Sequence, residues 1–352
     1  MREFPMDAWL SALGVTHPVL QAPMAGVSTP AMAAAVNAAG GLGAIALGAS
    51  DPTQAGKMIA ETRARTDRPF NVNLFVHAPP RRDPVVEAAW CEALRPAFAE
   101  QDAEPPAHLR AIYPSFAEDD AMLTLLLEAR PAVVSFHFGL PDAARIAALK
   151  GAGCLLLASV TSLAEAQSAC RAGIDVLVAQ GYEAGGHRGV FDPDAPDDRL
   201  GTLALTRLLG VKAGRPVIAA GGIMDGSGVA AALSLGAAAA QLGTAFIACS
   251  ESAADAGYRA ALMGQGAAHT VMTRAISGRP ARCLPNRFTA LGAELSARVP
   301  DYPVAYDAGK ALNAAAKARS EFGYGAQWAG QGAPLARAMP AGDLVRAIIA
   351  EM

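Results

Sequence analysis

Long apolar runs are missing from this chain. Asp, Pro or Gly interrupts each hydrophobic stretch before it reaches the roughly 20 residues that a membrane-spanning helix needs. Met1 to Leu10 hold no apolar core of signal-peptide length, so a cytoplasmic protein is expected. Charge is scarce too, at 17% of residues with a net charge of −3, which offers neither nucleic acid nor an anionic membrane a basic face. The densest basic spot, Arg81-Arg82, lies in a Pro-rich stretch and reads as a solvated loop. The five cysteines (91, 154, 170, 249, 283) form no CxxC pair, and their odd number argues against a disulfide framework. They read as reduced thiols, mostly small core fillers.

Several catalytic signatures are also absent. There is no HxH or HExxH spacing for a metal, no Gly-x-Ser-x-Gly elbow and no P-loop. Gly41-x-Gly43 is only a fragment of a dinucleotide pattern. The strand ends carry no carboxylate pair of the kind a glycosidase needs.

What is present is bulk from Ala, Leu and Val with 35 glycines, 52% hydrophobic over 352 residues. That suits helices packed closely on parallel strands. Eight strand-like runs follow one another: Val19–Met24, Gly43–Leu47, Phe70–Phe75, Val133–Phe136, Leu155–Val160, Val176–Gln180, Val217–Ala220 and Ala239–Leu242. Their continuous apolar character fits strands buried on both faces. Helical stretches alternate with them: Pro30 to Ala39, Asp51 to Arg65, Asp142 to Lys150, Ser162 to Ala172, Thr202 to Leu209 and Gly226 to Leu235. The first has Ser28-Thr29 in capping position and Pro30 in its first turn. Eight βα units predict an α/β fold of the closed (β/α)8 TIM-barrel type; a doubly wound open sheet is the alternative, with fewer strands than this as a rule.

Two segments break the rhythm. His77 to Glu118 is too long for a βα loop and looks helical over Pro84 to Gln101. About Glu251 to Lys317, after the last strand, reads as mostly helix and loop. Both leave the C-terminal rim of the barrel and could meet there as a helical lid. The expected division is a barrel of residues 1–75, 110–250 and 311–352, and a lid or substrate domain of residues 76–109 and 251–310.

The site should lie at the C-terminal strand ends. Gln180-Gly181-Tyr182-Glu183-Ala184-Gly185-Gly186-His187-Arg188-Gly189 follows one strand, Gly221-Gly222 the next and Gly243-Thr244 the last. Glycine-dense strand ends expose backbone N–H groups and suit a phosphate. The remaining polar groups are amides and imidazoles. A site poor in charged catalysts points to a cofactor that carries the chemistry, and flavin mononucleotide fits. It has one phosphate, a ring that asks for amides such as Asn73 and Gln180, and a need for a flat wall such as Pro23-Met24.

These motifs together resemble the nitronate monooxygenases, formerly called 2-nitropropane dioxygenases, in their bacterial class I. The resemblance covers nearly the whole chain. It rests on Gln21-Ala22-Pro23-Met24-Ala25-Gly26 with Thr29-Pro30, Asn73-Leu74-Phe75, Ser135-Phe136-His137-Phe138-Gly139-Leu140-Pro141, the loop Gly181 to Gly189, Gly221-Gly222-Ile223, Gly243-Thr244 and Trp328-Ala329-Gly330-Gln331-Gly332. It implies an FMN-dependent barrel with a lid that oxidises alkyl nitronates, propionate 3-nitronate above all, with O₂. The implied route passes through a flavin semiquinone to an aldehyde, such as malonate semialdehyde, and nitrite or nitrate, without NAD(P)H or metal.

The resemblance also implies roles. His187 would deprotonate a nitroalkane or position the nitronate. Asn73, Tyr113, Tyr302, Tyr306 and Lys310 would line the substrate pocket. The four-residue steps from Tyr302 to Lys310 put the last three on one helix face, with Pro303 in its first turn. FMN would be held by Pro23, Met24, Asn73, Gln180, Gly185, Gly221, Gly222, Gly243, Thr244, Gln327, Gly330 and Gln331. His137 is read as structural. Partners would be the small nitronate and O₂, with no nucleic acid or membrane; monomer and homodimer both stay open. Two other readings remain: an FMN-dependent NAD(P)H reductase of quinones or enoyl thioesters, and a non-catalytic flavin-binding protein.

Overall fold

The computed structural model describes residues 8–352, so the leader reading of Met1 to Leu10 falls mostly outside the described residues. Its strands, in chain order, are β1 (Val19–Gln21), β2 (Ala44–Ala46), β3 (Asn71–Phe75), β4 (Val133–His137), β5 (Leu155–Val160), β6 (Val176–Gln180), β7 (Gly186–His187), β8 (Val217–Ala220), β9 (Ala239–Leu242), β10 (Val271–Thr273) and β11 (Ala281–Cys283). Eight of them form one parallel sheet in the order β1-β9-β8-β6-β5-β4-β3-β2. The ring closes between β1 and β2. Gln21 N donates to Leu42 O at 2.9 Å and Leu42 N donates to Val19 O at 3.1 Å. The Gln21 side chain then continues the ladder, accepting from Ala44 N and donating to Ala44 O, both at 3.0 Å. The fold is a (β/α)8 TIM barrel, as the eight βα units predict.

Helix caps follow the sequence signals. Thr29 accepts from Met32 N in front of the helix Pro30–Ala38, and Asp51, Asp142, Ser162 and Asp225 cap later helices in the same way. β2 and β3 lose only end residues against the expected runs, and β1 is shortened most. β1 stops at Gln21 rather than Met24, because the chain turns there: Pro23 has no N–H for a ladder, and Met24 N donates to Ser28 Oγ at 2.9 Å.

The short helix Ala8–Ala12 was not expected. Its Trp9 and Leu10 share a cluster with Val133, Val176 and Ala239 at the strand starts, and so plug the N-terminal end of the barrel. That leaves the C-terminal end for function. No described helix is long and apolar enough to cross a membrane. All five cysteines are free thiols, and Cys154, Cys249 and Cys283 are buried.

The two insertions meet over the C-terminal end. The helix Pro84–Ala99 from the first and the helices Arg287–Glu294 and Val304–Ala318 from the second share an apolar core of their own, around Trp90, Leu94, Phe98, Phe288, Val304 and Leu312. Burial of each such side chain contributes roughly 1.5–3 kcal/mol. Arg81 stands in an exposed loop, as expected, and there pairs with Asp301 and Asp194 at 2.7 Å, which ties the first insertion to the second. Arg82 pairs with Glu87 at 2.6 Å. We propose a lid unit built on this second core. Its boundary falls after Ala318 rather than at residue 310, because the helix Val304–Ala318 runs unbroken through 310.

The second insertion is not only helix and loop. β10 and β11 pair antiparallel, and β11 pairs with β7, so that Ala281 faces His187 and Arg282 faces Gly186. Strands of three residues have too short a pattern to be read locally, and this sheet exists only through pairing across the chain.

Candidate active site

One cavity of about 710 Å³ opens at the C-terminal ends of the barrel strands. At its floor lie Pro23 and Met24 after β1, Asn73 on β3, Gly221 and Gly222 after β8, and Gly243 and Thr244 after β9. At its rim lie Tyr113, Tyr302, Tyr306 and Lys310 from the two insertions. His187 stands between the two groups.

The glycine-rich loop is held rigidly. Two donors converge on the carbonyl of His187: Gln180 Nε2 at 3.0 Å and His137 Nε2 at 3.1 Å. Gln180 Oε1 accepts from Gly189 N at 2.7 Å. Glu183 accepts from Thr202 N and Oγ1, at 2.8 and 3.0 Å. Gly185 is required by close approach, because a Cβ there would meet Gly330 N at 2.5 Å. Gln180 and Gln327 line the cavity, and their amides also bond within the protein. Gln327 donates to Phe322 O at 3.0 Å and accepts from Asn286 Nδ2 at 3.2 Å. Gly330 and Gln331 lie outside the cavity wall. Gly330 N donates to Thr244 Oγ1 at 3.0 Å, behind the end of β9, and Gln331 N donates to Glu183 O at 2.9 Å and braces the loop from behind.

The floor offers donors and one acceptor. Gly221 and Gly222 have φ of +123° and +71°, a backbone that a side chain would strain. The N–H groups of Gly222, Gly243 and Thr244 have no acceptor among the described residues. At Gly243 an added Cβ would lie 3.4 Å from Ala22 and 3.6 Å from the Met24 sulfur, so the protein leaves open the space above it. Asn73 spends its amide hydrogens on Ser135 Oγ at 2.9 Å and Ser135 O at 3.2 Å, which leaves Oδ1 as an acceptor toward the cavity. Together these groups can seat the phosphate and the planar ring of a cofactor.

His187 is surrounded by rings. Centroids lie 5.0 Å away for Trp328, 5.4 Å for Tyr302, 5.5 Å for Phe138 and 6.1 Å for Tyr306. Burial pushes the imidazole pKa well below its usual 6.5, and the charges of His137 and Arg279 push the same way. Burial likewise lowers His137 to about 4. It pushes the Tyr113 phenol up to about 12, and those of Tyr302 and Tyr306 up as well. Burial also lowers Lys310, against the opposing pull of Asp307. Lys310 Nζ sits 4.8 Å over Tyr113 and 5.7 Å over Tyr306, with no carboxylate in ion-pair reach among the described residues, since Asp307 pairs with Arg110. At neutral pH the cavity therefore presents a neutral imidazole, neutral phenols and a cationic rim.

Tyr302 differs from the sequence picture. The helix begins at Val304, with Pro303 as its cap position, so only Tyr306 and Lys310 are helical. Tyr302 reaches the same wall from the preceding turn, and its ring packs on Phe138 at 5.3 Å.

Sequence reasoning misses Ser277, Phe138 and Arg279 as site residues. Ser277 Oγ lies 2.8 Å from His187 Nε2. The Arg279 guanidinium stacks 4.3 Å over Phe138, and its acceptors among the described residues are the carbonyls of Val190 and Phe191. Phe138 has φ +78° and lies under His187. The one local signal for any of them is Phe138's place in the His-Phe-Gly run; the other two carry none.

A closed parallel barrel, one deep cavity at its C-terminal face and a buried neutral histidine define a barrel enzyme. The model of the family described as nitronate monooxygenase matches residues 8–351, and the chain belongs to that family. It is 61% identical, over 98% of this chain and 94% of the relative, to a nitronate monooxygenase of Paraburkholderia phytofirmans. It is 54% identical to one of Pseudomonas aeruginosa, over 98% of this chain and 99% of that one. Among solved structures it is similar to a nitroalkane oxidase from Streptomyces ansochromogenes, at 40% identity and a TM-score of 0.87 over 97% of each chain. It is also similar to FabK from Thermotoga maritima, at 30% identity and a TM-score of 0.75 over 98% of this chain and 95% of that one. The protein is an oxidoreductase that acts on nitronates.

Proposed function

We propose that the protein binds FMN and uses O₂ to oxidise alkyl nitronates, propionate 3-nitronate foremost, to an aldehyde plus nitrite or nitrate. One observation carries this reading. A single cavity joins a floor of free backbone donors to a rim of Tyr113, Tyr302, Tyr306 and Lys310, with His187 between them. Bound FMN would supply the electron acceptor and the reactivity toward O₂.

The chain's own residues do the rest. Gly222, Gly243 and Thr244 would hold the phosphate with backbone N–H groups. Pro23 and Met24 would back the ring, and Asn73 Oδ1 would accept from a ring N–H. At the rim, Lys310 would draw in the carboxylate of the substrate, and the neutral phenols would donate to its oxygens. His187 would hold or take a proton beside the nitronate. The aromatic wall keeps water away and strengthens each of these interactions.

Oxygen uptake by the FMN-loaded protein, with propionate 3-nitronate and with NADH in parallel, tests the reading. Fast uptake with the nitronate and none with NADH is the expected result. Flavin bleaching by NADH alone would move the protein to the reductase class. An inert flavin with both would favour a binding protein.

A further inference from the structure

We propose that Ser277 is a positioning residue that holds His187 in the Nε2–H tautomer, so that Nδ1 is the atom that exchanges a proton with the substrate. The argument is a count of donors and acceptors. Ser277 is 1% exposed and its hydroxyl has one hydrogen and two lone pairs. Three groups compete for them: His187 Nε2 at 2.8 Å, Arg279 O at 3.3 Å and Arg279 N at 3.5 Å.

Arg279 N can only donate, so it takes one lone pair. Arg279 O can only accept, and the hydroxyl is the one donor that reaches it among the described residues. One arrangement satisfies all three. The hydroxyl hydrogen goes to Arg279 O, and the second lone pair accepts from His187 Nε2–H. The reverse arrangement sends the hydroxyl hydrogen to Nε2 and leaves the carbonyl of a buried residue unpaired, which costs the desolvation of that group with nothing in return. Nε2 is thus committed to the protein. Among the described residues Nδ1 has no partner, and it is not one of the buried orphaned atoms, so it faces the cavity.

The other charged and titratable groups around the ring leave this assignment intact. His137 binds the backbone carbonyl of His187, not its ring. Tyr302 and Tyr306 touch the ring face-on or edge-on without a hydrogen bond. The Arg279 guanidinium is turned to Phe138 and to the carbonyls of Val190 and Phe191.

The proton balance follows. With a neutral nitroalkane, the α-carbon C–H bond breaks, its proton goes to Nδ1, and its electron pair forms C=N with the charge on the nitro oxygens. With a nitronate already formed, the negative charge of the entering substrate favours the charged ring, and Nδ1 takes a proton from solvent before the wall closes off the water. Both routes end at the same imidazolium–nitronate pair, and Nε2–H stays on Ser277 throughout. No ring flip is needed.

This inference rests on the nitronate reading for its substrate, but its test does not. The FMN-loaded protein, labelled with nitrogen-15 at histidine, is studied by long-range proton–nitrogen correlation, with His187 signals identified by their loss in His187→Asn. A protonated Nε2 and a bare Nδ1 are expected in the wild type and in Ser277→Thr. Ser277→Ala should give mixed tautomers and a kcat on propionate 3-nitronate lower by roughly tenfold, less than the loss of a whole general base. Ser277→Thr should restore that rate. A wild-type ring protonated at Nδ1 overturns the proposal, and so does an alanine variant with an unchanged tautomer. If Ser277→Ala fails to fold, the wild-type and threonine spectra still decide. No turnover with the expected tautomer would sink the nitronate reading alone; turnover with the wrong tautomer would sink the Ser277 role alone.

Discussion

His137 Nε2 donates to the backbone carbonyl of His187 at 3.1 Å, so one imidazole holds the chain that carries the other. The two histidines divide their work. His137 is bound to backbone, while His187 turns a free ring nitrogen to the cavity. His137→Ala should therefore cost stability, by about 1–3 kcal/mol for a weakened buried acceptor. Denaturant unfolding checks this. A larger loss of kcat than in His187→Asn would contradict the structural role.

The same pair sets a pH dependence. Both folded-state pKa values lie below 6.5, His137 at about 4 and His187 well below, with burial as the main cause. The unfolded chain therefore takes up these protons first as the pH falls. Stability should be full above 6.5 and decline between 6.5 and about 4. A melting temperature recorded against pH tests this, and His137→Gln should flatten the slope. An unchanged slope in that variant would remove His137 as its source.

Turnover should depend on the His187 ring. His187→Asn is expected to lower kcat/KM by roughly a hundredfold or more while FMN content stays at wild-type level. Steady-state oxygen consumption and the flavin absorbance read the two separately. Retained activity would return His187 to a loop-ordering role.

Lys310 sits at the rim with no carboxylate partner among the described residues. Lys310→Met should raise KM for propionate 3-nitronate by roughly tenfold, about 1.4 kcal/mol, and change that for an uncharged alkyl nitronate much less. Equal losses for both substrates would eliminate the carboxylate-anchor role.

Gly243 tests the phosphate cradle. Its Cβ position is compatible with the surrounding protein, at 3.4 Å from Ala22, and its φ of −111° suits any residue. Gly243→Val should fold with a near-native melting curve yet lose FMN on gel filtration. Full retention of FMN would refute the cradle. Gly221 is a poorer probe, because a Cβ there would meet Thr202 Oγ1 at 2.7 Å and disturb the protein itself.

The barrel is legible in the sequence because each βα unit is local. The caps at Thr29, Asp51 and Asp142 and the apolar strand runs report on residues a few positions away. The glycine loop and its histidine are legible for the same reason: Gly185, Gly186 and His187 are contiguous. Gln180 shows the limit of this. Its amide ties His187 O to Gly189 N, and nothing in the run of residues announces either partner. Composition cannot say which partner an amide chooses.

The family resemblance, not any spacing, implied the Tyr and Lys residues of the rim. The sequence by itself determined the barrel, the glycine-rich strand ends and the imidazole among them. Each follows from local hydrophobic period, backbone freedom or a short run. Only the tertiary structure decided what His187 can do. Ser277 reaches it from 90 residues away, because β11 pairs with β7. Hydrogen bonds between distant strands depend on the closed ring and its lid, and no spacing along the chain encodes them.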